Sequence, residues 1–162
     1  MLVKEIMNKY PITLSPSDTI RDAAERVAKY SVVAITVVDE NEKVVGILTE
    51  GDLLYKKLRP HAPHYVNVLG ASIYYTGISE YNKDFKKLLA TTVAELMTKE
   101  AITCYENTDL AEAVGVMLEK HLKAIPVVNK DGRLKGVLNR REIMKAIADD
   151  YKMEEEKEAN HK

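Results

Sequence analysis

The chain has 162 residues, 46% hydrophobic and 30% charged, a globular composition with enough apolar material for a core. Its 24 Lys and Arg are balanced by 25 Asp and Glu, a net charge of −1, which argues against the cationic face of a duplex nucleic-acid binder. No apolar run approaches the ~20 residues that span a bilayer. The first ten residues lack a signal-peptide pattern, and Cys104 is the single cysteine, so a cytoplasmic protein without disulfides is expected.

In chain order, Ser17 and Asp18 read as helix-start residues ahead of Ile20, Ala23, Ala24 and Val27, an apolar stripe at helical spacing. Val32–Val38 is a short continuous apolar run, the pattern of a buried strand. A polar turn at 39–43 and a second strand at Val44–Leu48 complete a hairpin. Thr49 stands at an N-cap position and leads into a helix over Asp52–Leu58.

The following segment is longer than the ~15 residues of a plain connection. Its Pro/His stretch, Arg59 to His64, is incompatible with regular helix. Tyr65, Tyr74, Tyr75 and Tyr81 make it Tyr-rich, which suits a cover over a cleft or a subunit contact. Ser79 is placed to cap a helix carrying Phe85, Leu88 and Leu89. Thr92 and Glu95 have the spacing of a capping box.

The second half repeats this order. Asn107 and Thr108 precede a helical stripe of Leu110, Ala113, Val114, Met117 and Leu118. Strands at Ala124–Val128 and Leu134–Leu138 flank a turn containing Asp131–Gly132, and Asn139 leads into a helix over Glu142–Tyr151. The tail from Met153 to Lys162 is charged and reads as a solvated helix end or disorder.

Shifting the sequence by 90 positions aligns Val3–Leu53 with Val93–Ile143 without a gap, and 13 of the 51 pairs are identical. About 3 are expected from ordinary composition. The halves are a tandem duplication. A lone unit of about 50 residues is marginal, so the two copies are expected to bury their sheet faces against each other around a pseudo-twofold axis.

The order V-K-E-I-M, P-I-T-L, A-I-T-V-V-D and G-I-L-T-E-G-D resembles a CBS domain, as do the second copy's V-A-E-L-M-T, A-I-T-C, A-I-P-V-V-N and G-V-L-N-R-R-E. The resemblance implies a stand-alone CBS pair, or Bateman module, of mixed α/β (α+β) class with a small sheet flanked by helices in each repeat. It divides the chain into repeat 1 at 1–58, a Tyr-rich insertion at 59–91, repeat 2 at 92–152 and a charged tail at 153–162. It also implies two clefts between the repeats, regulatory binding of an adenosine-containing ligand, and a homodimer.

Gly46, Thr49 and Asp52 match the family's ribose and phosphate motif. An ionised Asp can accept from both ribose hydroxyls, and a hydroxyl at a helix start lies beside unpaired N–H groups suited to phosphate. By spacing alone, Thr49 and Asp52 read as an ordinary helix cap; the resemblance reverses that preference in favour of the ligand. It places Ile102, Thr103, Leu122, Lys123, Ala124 and Pro126 opposite them as an adenine pocket, though each apolar member also reads as core. The pseudo-symmetric site would use Ile12, Thr13, Val33, Ala34, Asn139 and Glu142. There Glu142 lengthens the carboxylate arm and displaces the two-hydroxyl geometry, so a weaker or empty second site is expected. Arg140 and Arg141 add charge that could favour a phosphate, but read more readily as solvent-facing helix residues.

No catalytic set emerges. His61 and His64 lack a nearby acid for a metal, and Cys104 has no neighbouring His and reads as an apolar filler. No metal and no catalytic cofactor are expected. The functional expectation is a non-enzymatic regulatory module that senses AMP, ADP, ATP or S-adenosylmethionine and signals to a separate effector protein, without membrane or nucleic-acid partners. The alternative is a structural dimerisation or scaffold module with no physiological nucleotide.

Overall fold

In the computed structural model, residues 1–55, 64–68, 71–76, 79 and 90–159 are described, with side chains of 55, 64–68, 71–76 and 154–159 excepted. Repeat 1 runs α1 (Val3–Ile6), β1 (Thr13–Leu14), α2 (Ile20–Tyr30), β2 (Ala34–Val38), β3 (Val44–Thr49) and α3 (Glu50–Tyr55). Strands β4 (His64–Val68) and β5 (Ala71–Thr76) then pair as an antiparallel hairpin. Repeat 2 follows as α4 (Val93–Leu96), β6 (Thr98–Lys99), β7 (Cys104–Tyr105), α5 (Leu110–Glu119), β8 (Ala124–Val128), β9 (Leu134–Asn139) and α6 (Arg140–Ala159). The helix expected after Ser79 and most of the Pro/His stretch lie outside the described residues.

The long helices begin slightly later than the sequence pattern indicates. Thr19 caps α2, its Oγ1 accepting from Asp22 N at 3.1 Å while Asp22 Oδ2 accepts from Thr19 N at 3.1 Å. Asp109 caps α5 by accepting from Ala111 N at 2.9 Å. Asp18, expected to start the first of these helices, is engaged elsewhere. It accepts from Ser15 N at 2.9 Å and lies 3.4 Å from the Arg26 guanidinium. Ala24 and Leu118, at the edge of their stripes, are exposed. The C-terminal helix reaches Ala159, well into the segment read as tail.

The two hairpins are near copies. Ala34 pairs with Thr49 and Ala124 with Asn139, and both ladders slip by one residue at the last valine, Val38 or Val128. Short parallel strands extend both, Leu14 beside Val37 and Cys104 beside Val127. Where the hairpin turns approach each other, Val44 N donates to Gly132 O at 3.1 Å and Leu134 N to Glu42 O at 2.9 Å.

The interior forms two buried clusters, because the short N-terminal helices are exchanged between the repeats. Val3 and Met7 of repeat 1 are buried with Ala113, Met117, Ile125, Val127, Leu138 and Ile143 of repeat 2. Reciprocally, Ala90, Val93 and Leu96 complete the cluster of Leu14, Ala23, Ile35, Val37 and Leu48. Each repeat thus buries its helix against the other's sheet. Backbone bonds fix the exchange: Val3 N donates to Thr108 O and Val93 N to Asp18 O, at 3.0 and 2.9 Å. Asn8 and Val137 exchange two bonds of 2.9 Å, and β6 adds to β3 through Lys99 and Thr98.

This exchange explains the repeated glycines. A Cβ on Gly46 would lie 2.6 Å from Met97 Sδ and 2.8 Å from Thr98 O, and one on Gly136 would lie 2.8 Å from Met7 Sδ and 2.7 Å from Asn8 O. Gly46→Ala and Gly136→Ala are each expected to destabilise by about 1–3 kcal/mol, as overpacking against backbone does. Gly115→Ala, in the interior of α5 with nothing within 4 Å of its Cβ position, is expected to stabilise by about 0.5–1 kcal/mol. Denaturant unfolding of the three variants checks this contrast.

The exchanged helix α4 also carries a pH dependence. Glu95 Oε2 accepts from Thr91 N at 2.7 Å and Thr92 N at 3.0 Å, and these bonds hold its carboxyl at about 2 against an ordinary 4.5. A depressed folded-state pKa stabilises above the unfolded value and is lost as pH falls through the folded one. The melting temperature of Glu95→Gln is therefore expected to fall less than that of the unmodified chain between pH 4.5 and 2. An identical fall would show that Glu95 contributes nothing.

Candidate functional site

Strands β3 and β9 each end in a polar residue that starts the next helix, and the first of these starts is a closed reciprocal cap. Thr49 N and Thr49 Oγ1 both donate to Asp52 Oδ2 at 2.9 Å, and Asp52 N donates to Thr49 Oγ1 at 3.2 Å. The cap and the motif are therefore the same residues: the bonds that start α3 also orient the Asp52 carboxylate. Gly46 is buried beneath Met97, a packing role that suffices to require glycine there.

The second start is built differently. Asn139 Oδ1 accepts from Arg141 N at 2.9 Å and Glu142 N at 3.4 Å. Glu142 is half-buried, and its Oε2 is shielded from solvent without a hydrogen-bond partner among the described residues. Such an acceptor costs about 1–3 kcal/mol unless a donor reaches it.

Between the repeats lies a cleft of about 620 Å³. The start of β2 contributes Val33 and Ala34, the start of β8 contributes Lys123 and Ala124, and the helix starts contribute Glu50, Arg140, Arg141 and Glu142. Ile12 and Asn139 also line it. Five residues of the sequence-proposed second site, Ile12, Val33, Ala34, Asn139 and Glu142, thus meet in one cavity, joined by Lys123 and Ala124 from the other set. Thr13 is not among the lining residues; its carbonyl accepts from the Arg26 guanidinium.

The remaining members of the first set are dispersed in environment. Ile102 is 41% exposed, Thr103 is exposed, Leu122 packs against the repeat 2 core, and Pro126 is fully buried in β8. Sequence reasoning passes over Tyr10 and Tyr30, which line the cleft with 91% and 47% of their surface exposed. Their partners at the 90-residue offset are Glu100 and Lys120, so the unmatched aromatics are the available signal.

Other chemistry is sparse. Burial, with Glu112 nearby, pushes the Cys104 thiol up to about 11, the opposite of what a thiolate nucleophile needs. Among the described residues no cluster of three metal-ligating side chains occurs, and no helix is long and apolar enough to cross a membrane. The His61 and His64 side chains lie outside the described residues.

Comparison with known proteins fits this architecture. The chain is 30% identical over 136 residues to inosine-5'-monophosphate dehydrogenase of Aquifex aeolicus, covering 83% of this chain but only 22% of that enzyme. The crystal structure of CBSX2, a CBS domain-containing protein of Arabidopsis thaliana, in complex with AMP is 25% identical with a TM-score of 0.71, covering 91% of this chain and 96% of that one. The CBS domain pair of protein MJ0100, in complex with 5'-methylthioadenosine and S-adenosyl-L-methionine, shares the fold at 24% identity and a TM-score of 0.68, covering 93% and 98% of the two chains. The CBS domain family itself matches residues 3–59 and 93–149. With both halves matched and their helices exchanged across a pseudo-twofold arrangement, the chain belongs to the CBS domain family as a tandem pair.

Proposed function

We propose that this CBS pair is a regulatory module that binds an adenosine-containing ligand between its repeats and passes the occupancy to a separate protein. The observation that carries the reading is the inter-repeat cleft, with Asn139 and Glu142 of a helix start on its wall. Ribose hydroxyls are donors that a carboxylate turned to the cleft accepts. At the pseudo-equivalent position the Asp52 carboxylate, oriented by Thr49, would take the same role. The AMP complex of CBSX2 supports the ligand class. No catalytic role is assigned: the site offers hydrogen bonds and charge but no activated nucleophile.

The two sites are unequal in this reading. Asp52 sits one methylene closer to its helix than Glu142, so the Thr49–Asp52 side is the tighter for ribose. The output requires that the ligand prefer one arrangement of the repeats. A homodimer would supply a second level of coupling. Leu54 and Met144, which are equivalent at the 90-residue offset, are 66% and 61% exposed, and Ile147 and Tyr151 continue an apolar stripe along α6.

Titration calorimetry and thermal shift with AMP, ATP and S-adenosylmethionine test this. At least one ligand is expected to raise the melting temperature, with two unequal sites per chain, and Asp52→Ala is expected to weaken the tighter one at least tenfold, the loss of a charge-assisted bond. Two equal sites would contradict the asymmetry. No binding by any of the three would leave a dimerisation scaffold without nucleotide.

A further inference from the structure

The two helix starts differ in charge at equivalent positions, acidic or neutral in the first two places of repeat 1 and basic in those of repeat 2, with a carboxylate third in both. Repeat 1 carries Glu50, Gly51 and Asp52 where repeat 2 carries Arg140, Arg141 and Glu142. Arg140 and Arg141 line the cleft, and Lys123 faces it from the start of β8. All three are exposed, and none is in an ion pair among the described residues. Glu50 lines the same cleft, so negative charge on a ligand is repelled from that wall and drawn to the α6 side.

Resting on the adenosyl reading above, we propose that the Asn139–Glu142 cleft selects ligands with an anionic phosphate group and rejects neutral or sulfonium adenosyl compounds. Glu142 holds the ribose loosely because of its longer arm, and the missing affinity comes from Arg140, Arg141 and Lys123 on the phosphates. Guanidinium groups suit this role because they meet phosphate oxygens through two parallel N–H bonds. A positively charged sulfonium in the same place would face Arg140, Arg141 and Lys123 against the carboxylates of Glu50 and Glu142, a net positive lining. Occupancy of this cleft would then rise with the number of phosphates, while the acidic Thr49–Asp52 side would tolerate an uncharged or cationic 5' group.

Asp52→Ala isolates the second cleft for calorimetry with adenosine, AMP, ADP, ATP and S-adenosylmethionine. Affinity is expected to increase from AMP to ATP, to fall as salt is raised, and to exceed that of adenosine and S-adenosylmethionine by about tenfold or more. Arg140→Gln combined with Arg141→Gln is expected to remove that advantage, and the Arg140→Lys, Arg141→Lys pair to restore part of it. Both pairs alter exposed side chains, and an unchanged melting temperature without ligand verifies folding. Adenosine or S-adenosylmethionine binding the Asp52→Ala protein as tightly as AMP would overturn the charge selection while leaving the adenosyl reading intact. If the unmodified chain binds none of these compounds, the adenosyl reading itself fails, and the selection with it.

Discussion

Everything in this chain hangs on the reciprocal seating of two methionines over two glycines. Met7 lies against Gly136 and Met97 against Gly46, each pair joining opposite repeats. The contact brings its backbone with it: Asn8 pairs with Val137, and Thr98 with Ile47. A repeat of about 50 residues is near the lower limit for an independent core. By supplying each cluster with a helix from the other half, the chain makes two small cores that neither half can complete alone. Damage at either glycine would therefore be felt by both repeats.

The same interlock places the candidate site. Because α1 packs on repeat 2, the segment after it, with Asn8, Tyr10 and Ile12, is laid along the edge of the cleft opposite Asn139–Glu142. The strand starts Val33–Ala34 and Lys123–Ala124 come together there, and the helix starts flank them. A ligand in this position touches groups from both repeats and thereby acts on their relative arrangement. Within this near-symmetric frame the charges are not symmetric, and the replacement of Glu50–Gly51–Asp52 by Arg140–Arg141–Glu142 gives the clefts different chemistry.

Much of the architecture is legible in the sequence because it is written twice. The hairpins of Ala34–Val38 and Ala124–Val128, the caps at Thr49 and Asn139, and the box at Glu95 follow from local patterns whose physics is short-range. What stays hidden is the exchange. The pattern V-x-E-h-M marks a buried helical turn but carries no information about which sheet buries it. Gly46 reads as a ligand residue for the same reason: a glycine required by a distant methionine looks like one required by a phosphate. The β4–β5 hairpin escapes notice because Leu69–Gly70, the two residues between its strands, is not one of the Asn-Gly or Asp-Gly pairs that mark a tight hairpin. Tyr10 and Tyr30 escape it because they have no aromatic counterparts in the other repeat.

The association of an adenosyl ligand with the inter-repeat cleft is tested most directly by a crystal structure of the chain with AMP. The expected result is adenosine between the starts of β2 and β8, its ribose hydroxyls on the carboxylate of Asp52 or Glu142. AMP bound elsewhere on the surface, with both carboxylates untouched, would contradict that assignment.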